Sequence, residues 1–142
     1  DRNTRRCWYG YLAVMKLSYS KKELEDIGKK VIDWCVDEFG LSKYYEHYPY
    51  IEIDMDEVDL MGEFVGDNNE IIVYPNAMDN MDDFISTVIH EYSHYLQRLS
   101  WYTRYINMGY EGVDNPYEMI AETIAINNRK LCKKEILNES TD

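Results

Sequence analysis

Two histidines stand four residues apart, with a glutamate directly after the first, in the stretch His90-Glu91-Tyr92-Ser93-His94. On an α-helix, residues four apart share a face and lie about 6 Å apart along the axis. Two imidazoles so placed can close on one metal ion at about 2.0–2.1 Å each. Glu91 then projects beside the ion, where it can take a proton from a water whose pKa the metal has lowered towards about 7. The chain has only 3 histidines, so their meeting in this pattern is a specific signal. The third, His47, sits in the tyrosine-rich stretch 43–50 without such a context and reads as structural.

A catalytic zinc takes three protein ligands and keeps one position open. The metzincin extension of the motif requires glycine at 97 and histidine at 100; this chain has Gln97 and Ser100, and no histidine follows His94. The third ligand is therefore expected to be a carboxylate. Glu118 and Glu122 lie one turn apart on one face of the last helix. Asn115-Pro116-Tyr117-Glu118 also reads as a capping box, which would occupy Glu118 at the helix start. Small residues at Ala121 and Ala125 let that helix approach the histidines closely and favour Glu118 as ligand. Glu122 is then the alternative ligand, or an acceptor for a histidine N–H. Stabilising an oxyanion needs a further donor. Tyr110 is the first candidate, with Tyr105, Tyr117, Arg98 and Arg104 also near the motif in sequence.

The elements that must position these groups follow from periodicity and punctuation. Residues 21–39 carry apolar positions at helical spacing, opened by a Ser20/Glu23 capping box and stopped by Gly40. Residues 50–54 alternate apolar and acidic, as a half-buried strand does. Residues 61–66 and 70–74 read as two strands around Asp67-Asn68-Asn69, with Pro75 and Asn76 ending the second. The motif helix is predicted over 80–100, with Asp79, Asp82 and Asp83 at the positive end of its dipole. A tyrosine-rich loop over 101–114 follows, and Asn115-Pro116 starts a last helix reaching about 137. The fold class is α+β: an N-terminal helix, a small mixed or antiparallel sheet, the motif helix and a C-terminal helix carrying the glutamate ligand. With 142 residues, the expectation is one domain over 1–142, with 1–19 peripheral and 138–142 a frayed tail.

Composition narrows the function further. At 45% hydrophobic and 30% charged residues with 7 Gly and 3 Pro, the chain is globular rather than disordered. The net charge is −12, and the surplus is local: residues 50–97 contain twelve Asp or Glu and no Lys or Arg. Such a chain lacks the basic face that non-specific nucleic-acid binding requires. No 18-residue window is free of charge, so no membrane span is expected. Residues 7–14, after Arg2, Arg5 and Arg6, faintly resemble the front of a secretion signal, but Lys16 interrupts them and they read as part of the fold. Cys7, Cys35 and Cys132 form no CxxC and read as reduced thiols of a cytoplasmic protein.

Three pieces in order carry a family resemblance: GEFVGDNNEIIVYPN at 62–76, TVIHEYSHYLQ at 87–97 and NPYEMIAETIA at 115–125. Together they resemble the strand pair, the HExxH helix and the ExxA-type helix of the minimal zincin-fold metallopeptidases of gluzincin type, as in small phage and bacterial zinc peptidases. The resemblance spans about residues 50–130. Where related motifs often carry Asp after the Ala of ExxA, this chain has Glu122. The resemblance implies a zincin-like fold and one Zn²⁺ between two helices, held by His90, His94 and Glu118. It also implies Glu91 as general base and a substrate peptide paired along an edge strand formed by Glu70, Ile71, Ile72, Val73 and Tyr74. A phage or mobile element is a natural source for such a chain.

The expected activity is zinc-dependent endopeptidase hydrolysis of a peptide or protein, with the acidic middle third favouring basic substrates. Three alternatives compete. A silent metal- or peptide-binding module would not need Glu91. A deformylase would need a cysteine ligand close to the motif, whereas Cys35 lies more than fifty residues upstream. A structural protein with a vestigial site would keep the same letters.

Overall fold

The first helix, α1 (Lys21–Phe39), is set at both ends by the residues that the sequence singles out. The Ser20 hydroxyl accepts from the Glu23 amide at 3.1 Å, and the Glu23 carboxylate accepts from the Ser20 amide at 2.8 Å. Gly40, at φ +80°, ends the helix in a conformation that costs a residue with a Cβ more than glycine. Leu24, Ile27, Val31, Trp34 and Cys35 form its buried face. The computed structural model describes residues 18–138, so the readings made for residues 1–17, Cys7 included, and for the tail 139–142 lie outside the described residues.

Three short strands follow: β1 (Tyr50–Ile53), β2 (Gly62–Val65) and β3 (Glu70–Val73). Their order in the sheet is β1-β3-β2, with β3 parallel to β1 and antiparallel to β2. The hairpin between β2 and β3 turns through Gly66–Asn68 and then Asn69 at φ +49°, a left-handed position that asparagine tolerates. Ile71 and Val73 of β3 are fully buried, as period-2 alternation demands.

This topology corrects one expectation. Glu70, Ile71, Ile72 and Val73 form the central strand, with Tyr74 directly after it, so the segment is no substrate edge. Its main chain is already paired on both sides and has no free row of N–H and C=O groups to offer. A hairpin pattern does not say which of its arms an earlier strand will join. Here β1 joins the second arm in parallel, leaving β2 with an outer edge that pairs with no strand among the described residues.

The motif helix α2 (Met81–Leu96) starts at Asn80, whose side chain accepts from the Asp83 amide at 2.9 Å. It runs through the middle of the core: Phe84, Ile85, Val88, Ile89, Tyr92 and Tyr95 are fully buried. The two tyrosines bury area without stranding their hydroxyls. Tyr92 donates to the Gly40 carbonyl. Tyr95 donates to the His47 carbonyl at 2.8 Å and accepts from the Ser42 amide at 3.1 Å, which fastens the loop after α1 to the motif helix.

α2 stops at Leu96, short of the predicted 80–100, because Gln97 adopts extended backbone. A second short helix, α3 (Leu99–Asn107), stands where a loop was expected. It buries none of its residues, no side chain caps its start at Arg98, and neither Gly nor Pro punctuates the break before it.

The last helix, α4 (Pro116–Ile136), is capped by the buried Asn115, which accepts from the Tyr117 amide at 3.0 Å. It lies on α2 through Ala121 and Ala125, both buried, and no two elements share a larger contact. One hydrophobic core joins α1, β1, β3, α2 and α4. The coarse α+β class, with a small mixed sheet, is as expected. No helix among the described residues is long and apolar enough to cross a membrane. Cys35 and Cys132 are buried free thiols.

Replacing Tyr95 by Phe strands the Ser42 amide and the His47 carbonyl. Urea unfolding should show a loss of about 1–3 kcal/mol, with the fold otherwise intact; an unchanged midpoint would mean that these bonds do not hold the loop.

Candidate metal centre

α2 and α4 bring His90, His94 and Glu118 together. Both histidine Nε2 atoms lie 2.8 Å from one oxygen, Glu118 Oε1, and one ligand atom from each of the three residues falls within 4.8 Å of the others. Ligand atoms around a tetrahedral zinc with bonds of about 2.0–2.2 Å sit roughly 3.3 Å apart. Each histidine–Glu118 pair would therefore have to open by only about half an ångström to admit an ion. The donor chemistry, two imidazoles and a carboxylate, suits zinc and other first-row divalent ions.

Glu118 takes no part in a capping box; Asn115 alone caps α4, which leaves the Glu118 carboxylate free to turn towards the histidines. Its second oxygen accepts from the Tyr102 hydroxyl at 2.6 Å. Burial by itself would raise the Glu118 pKa, but the bonds from His90, His94 and Tyr102 hold it well below the usual carboxylate range. Burial likewise pulls His90 and His94 down, yet their bonds to Glu118 and the neighbouring carboxylates outweigh it and lift both. Tyr102 is pushed up by burial and by its bond to Glu118.

Glu91 is placed differently. It is only 7% exposed, and burial pushes its carboxyl up to about 7 against the pull of His90 and His94. No hydrogen bond is made to its carboxylate among the described residues. The two glutamates thus differ in kind: Glu118 is bonded through both oxygens, whereas the Glu91 carboxylate accepts from no described residue.

What enters would do so from a cleft of about 240 Å³ bordered by Gly62 and Phe64 of β2, Glu91 and His94 of α2, Tyr102 of α3 and Glu118. Gly62 is needed there. A Cβ at this position would come within 2.6 Å of Thr87 Cγ2 and 3.0 Å of the Ile72 carbonyl, and would lie 3.5 Å from Glu91 Cγ. The missing side chain lets the strand edge lie directly against the motif helix.

Other sequence-predicted residues fall elsewhere. Glu122 lies behind His90, its Oε2 3.4 Å from His90 Nδ1, and is 59% exposed. Tyr110 does not border the cleft: it is 46% exposed and packs edge-on against Tyr105. The structure does not bring Tyr110, the expected oxyanion donor, to the cleft border, because it follows the end of α3 and packs on Tyr105. Tyr105 and Tyr117 pack on each other, and Arg104 lies over the Trp101 ring at 4.6 Å; none of these borders the cleft. The tyrosine at the site is Tyr102, which the sequence reading passed over. Its only signal was an unrecognised helix. Gln97 was also missed as a site residue, although it lies three residues after His94 and so within reach of the same helix face.

Compared with protein-family models, curated proteins and solved structures, the chain matches none.

The arrangement ranks the two candidate ligands. Glu118→Ala should weaken zinc binding by well over 100-fold in competition with a chromophoric chelator, and Glu122→Ala by no more than about 10-fold, in the range of outer-shell changes. The reverse order would make Glu122 the ligand.

Proposed function

We propose that this chain is a zinc-dependent endopeptidase of gluzincin type, with His90, His94 and Glu118 as the ligands of one ion and Glu91 as general base. One observation carries the reading. Glu91, a carboxylate with no hydrogen-bond partner among the described residues, stands beside a convergent His90–His94–Glu118 group in a cleft walled by a strand edge that pairs with no described strand.

A zinc ion held there would activate a water for attack and polarise the scissile carbonyl. The residues of the chain supply the rest. β2 offers an outer edge that pairs with no strand among the described residues, so an extended peptide pairs with it through main-chain groups and is read by side chains second. Glu91 takes the proton of the attacking water and delivers it to the departing amine, a task suited to a group that titrates near neutrality. Tyr102 reaches into the cleft and is the hydroxyl available to donate to the developing oxyanion once Glu118 turns to the ion. Phe64 and Leu99 give the cleft an apolar lining for a substrate side chain. Substrate specificity follows from charge: β2, the loop before it and α2 belong to the stretch 50–97 that contains no Lys or Arg, so basic peptides are favoured over acidic ones.

Glu91→Gln should retain one zinc per chain while peptide cleavage falls by about 10²–10⁴-fold. Chelation should abolish cleavage by the parent, and added zinc should restore it. Cleavage by the variant at the parental rate would refute the mechanism. Matched Lys- and Glu-bearing fluorogenic peptides should be cleaved unequally at low salt, with the preference for Lys shrinking as ionic strength rises. Equal rates at low salt would remove the charge argument and leave the metal site standing.

A further inference from the structure

The two histidines are supported unequally. Behind His90 stands Glu122, at 3.4 Å and largely in solvent. Behind His94 stands the Gln97 side chain, with Oε1 2.7 Å from His94 Nδ1. The other end of the same amide, Nε2, donates to the Tyr117 carbonyl at 3.0 Å.

These partners fix the orientation of the amide and, through it, a proton. A backbone carbonyl can only accept, so the NH₂ end of Gln97 must face Tyr117. The carbonyl end therefore faces His94, and because that oxygen can only accept, Nδ1 of His94 must carry the hydrogen. The hydrogen that an incoming ion would displace is therefore the one on Nε2, the atom turned towards Glu118 Oε1, and the neutral ring left behind would offer its lone pair there. The Tyr117 carbonyl belongs to the residue directly before Glu118 in the first turn of α4. A single side chain thus connects one of the proposed ligands on α2 with the backbone that carries another on α4.

The local fold explains how Gln97 reaches both. α2 ends at Leu96, and Gln97 takes extended backbone (φ −88°, ψ 155°) while its amide N–H still bonds the His94 carbonyl at 3.1 Å. A residue continuing the helix would be carried along α2; the break instead leaves the side chain in the gap between α2 and the start of α4. The stop without Gly or Pro, otherwise unexplained, serves this contact.

We propose that Gln97 is the positioning residue for His94: it accepts the Nδ1 hydrogen, holds the ring with Nε2 towards the metal, and is itself oriented by the Tyr117 carbonyl. The proposal rests on the zinc reading above, and it assigns Gln97 no contact with substrate. Outer partners of a metal-bound histidine typically contribute 10–100-fold to affinity.

The test compares the parent, Gln97→Leu and Gln97→Glu, each checked for folding by circular dichroism. Zinc affinity is measured by chelator competition, and ligand geometry by the visible spectrum of the cobalt-substituted protein. Gln97→Leu should bind zinc about 10–100-fold more weakly, with altered cobalt bands. Gln97→Glu keeps an acceptor for Nδ1–H and should recover most of the affinity and the parental bands. Parental affinity in Gln97→Leu, or equal weakening in both variants, would overturn the role of Gln97. A parent that binds zinc but cleaves no peptide would overturn the peptidase reading alone, and a parent that binds no zinc would overturn both.

Discussion

Everything at the site depends on how closely α4 can lie on α2. Glu118 must place one oxygen 2.8 Å from two imidazole nitrogens on another helix, and a carboxylate side chain has little reach to spare. Ala121 and Ala125 set that distance, because a larger residue at either buried position would hold the helices apart. The position of α2 is fixed in turn by its own burial. Its apolar residues fill the core from Phe84 to Tyr95, and the hydroxyls of Tyr92 and Tyr95 fasten the loop after α1. The histidines therefore project from a helix held firmly in the core, which suits a site that must be preorganised. On the opposite side the same requirement appears as Gly62, where the absence of a Cβ brings β2 against Glu91.

Much of this was legible in the residues. The HExxH letters, the Ser20/Glu23 capping box, the Gly40 stop and the Asp67-Asn68-Asn69 turn each depend on chemistry within a few residues, and local chemistry can be read along a chain. Ala121 and Ala125 announced a close helix contact for the same reason. Three things were not legible. Parallel pairing of β1 with β3 is a long-range choice on which the hairpin pattern is silent, so the free edge was assigned to the wrong arm. α3 starts without a side-chain cap and follows α2 with no Gly or Pro between them, so its start was merged with the motif helix and Tyr102 was hidden within an expected loop. The choice between a capping box and a ligand role for Glu118 turned on whether Asn115 could cap α4 alone, and that is a matter of three-dimensional geometry.

The site also sorts its carboxylates by environment rather than by position in sequence. Glu118 accepts three hydrogen bonds and is held ionised, as a metal ligand must be. Glu91, one helix turn or less from the same histidines, is buried with no such partner among the described residues and is pushed up towards neutrality, which suits the proton carrier proposed for it. Glu122 remains largely in water behind His90. Three glutamates in one small region thus occupy three different electrostatic settings, and the roles proposed for them follow those settings.

The most direct measurement of the central claim is zinc K-edge X-ray absorption on the protein loaded with one equivalent of the metal. The account predicts a first shell of nitrogen and oxygen scatterers only, at about 2.0–2.2 Å, with the outer-shell pattern of two imidazoles. A sulfur scatterer near 2.3 Å, a single imidazole, or failure to retain the ion would contradict it.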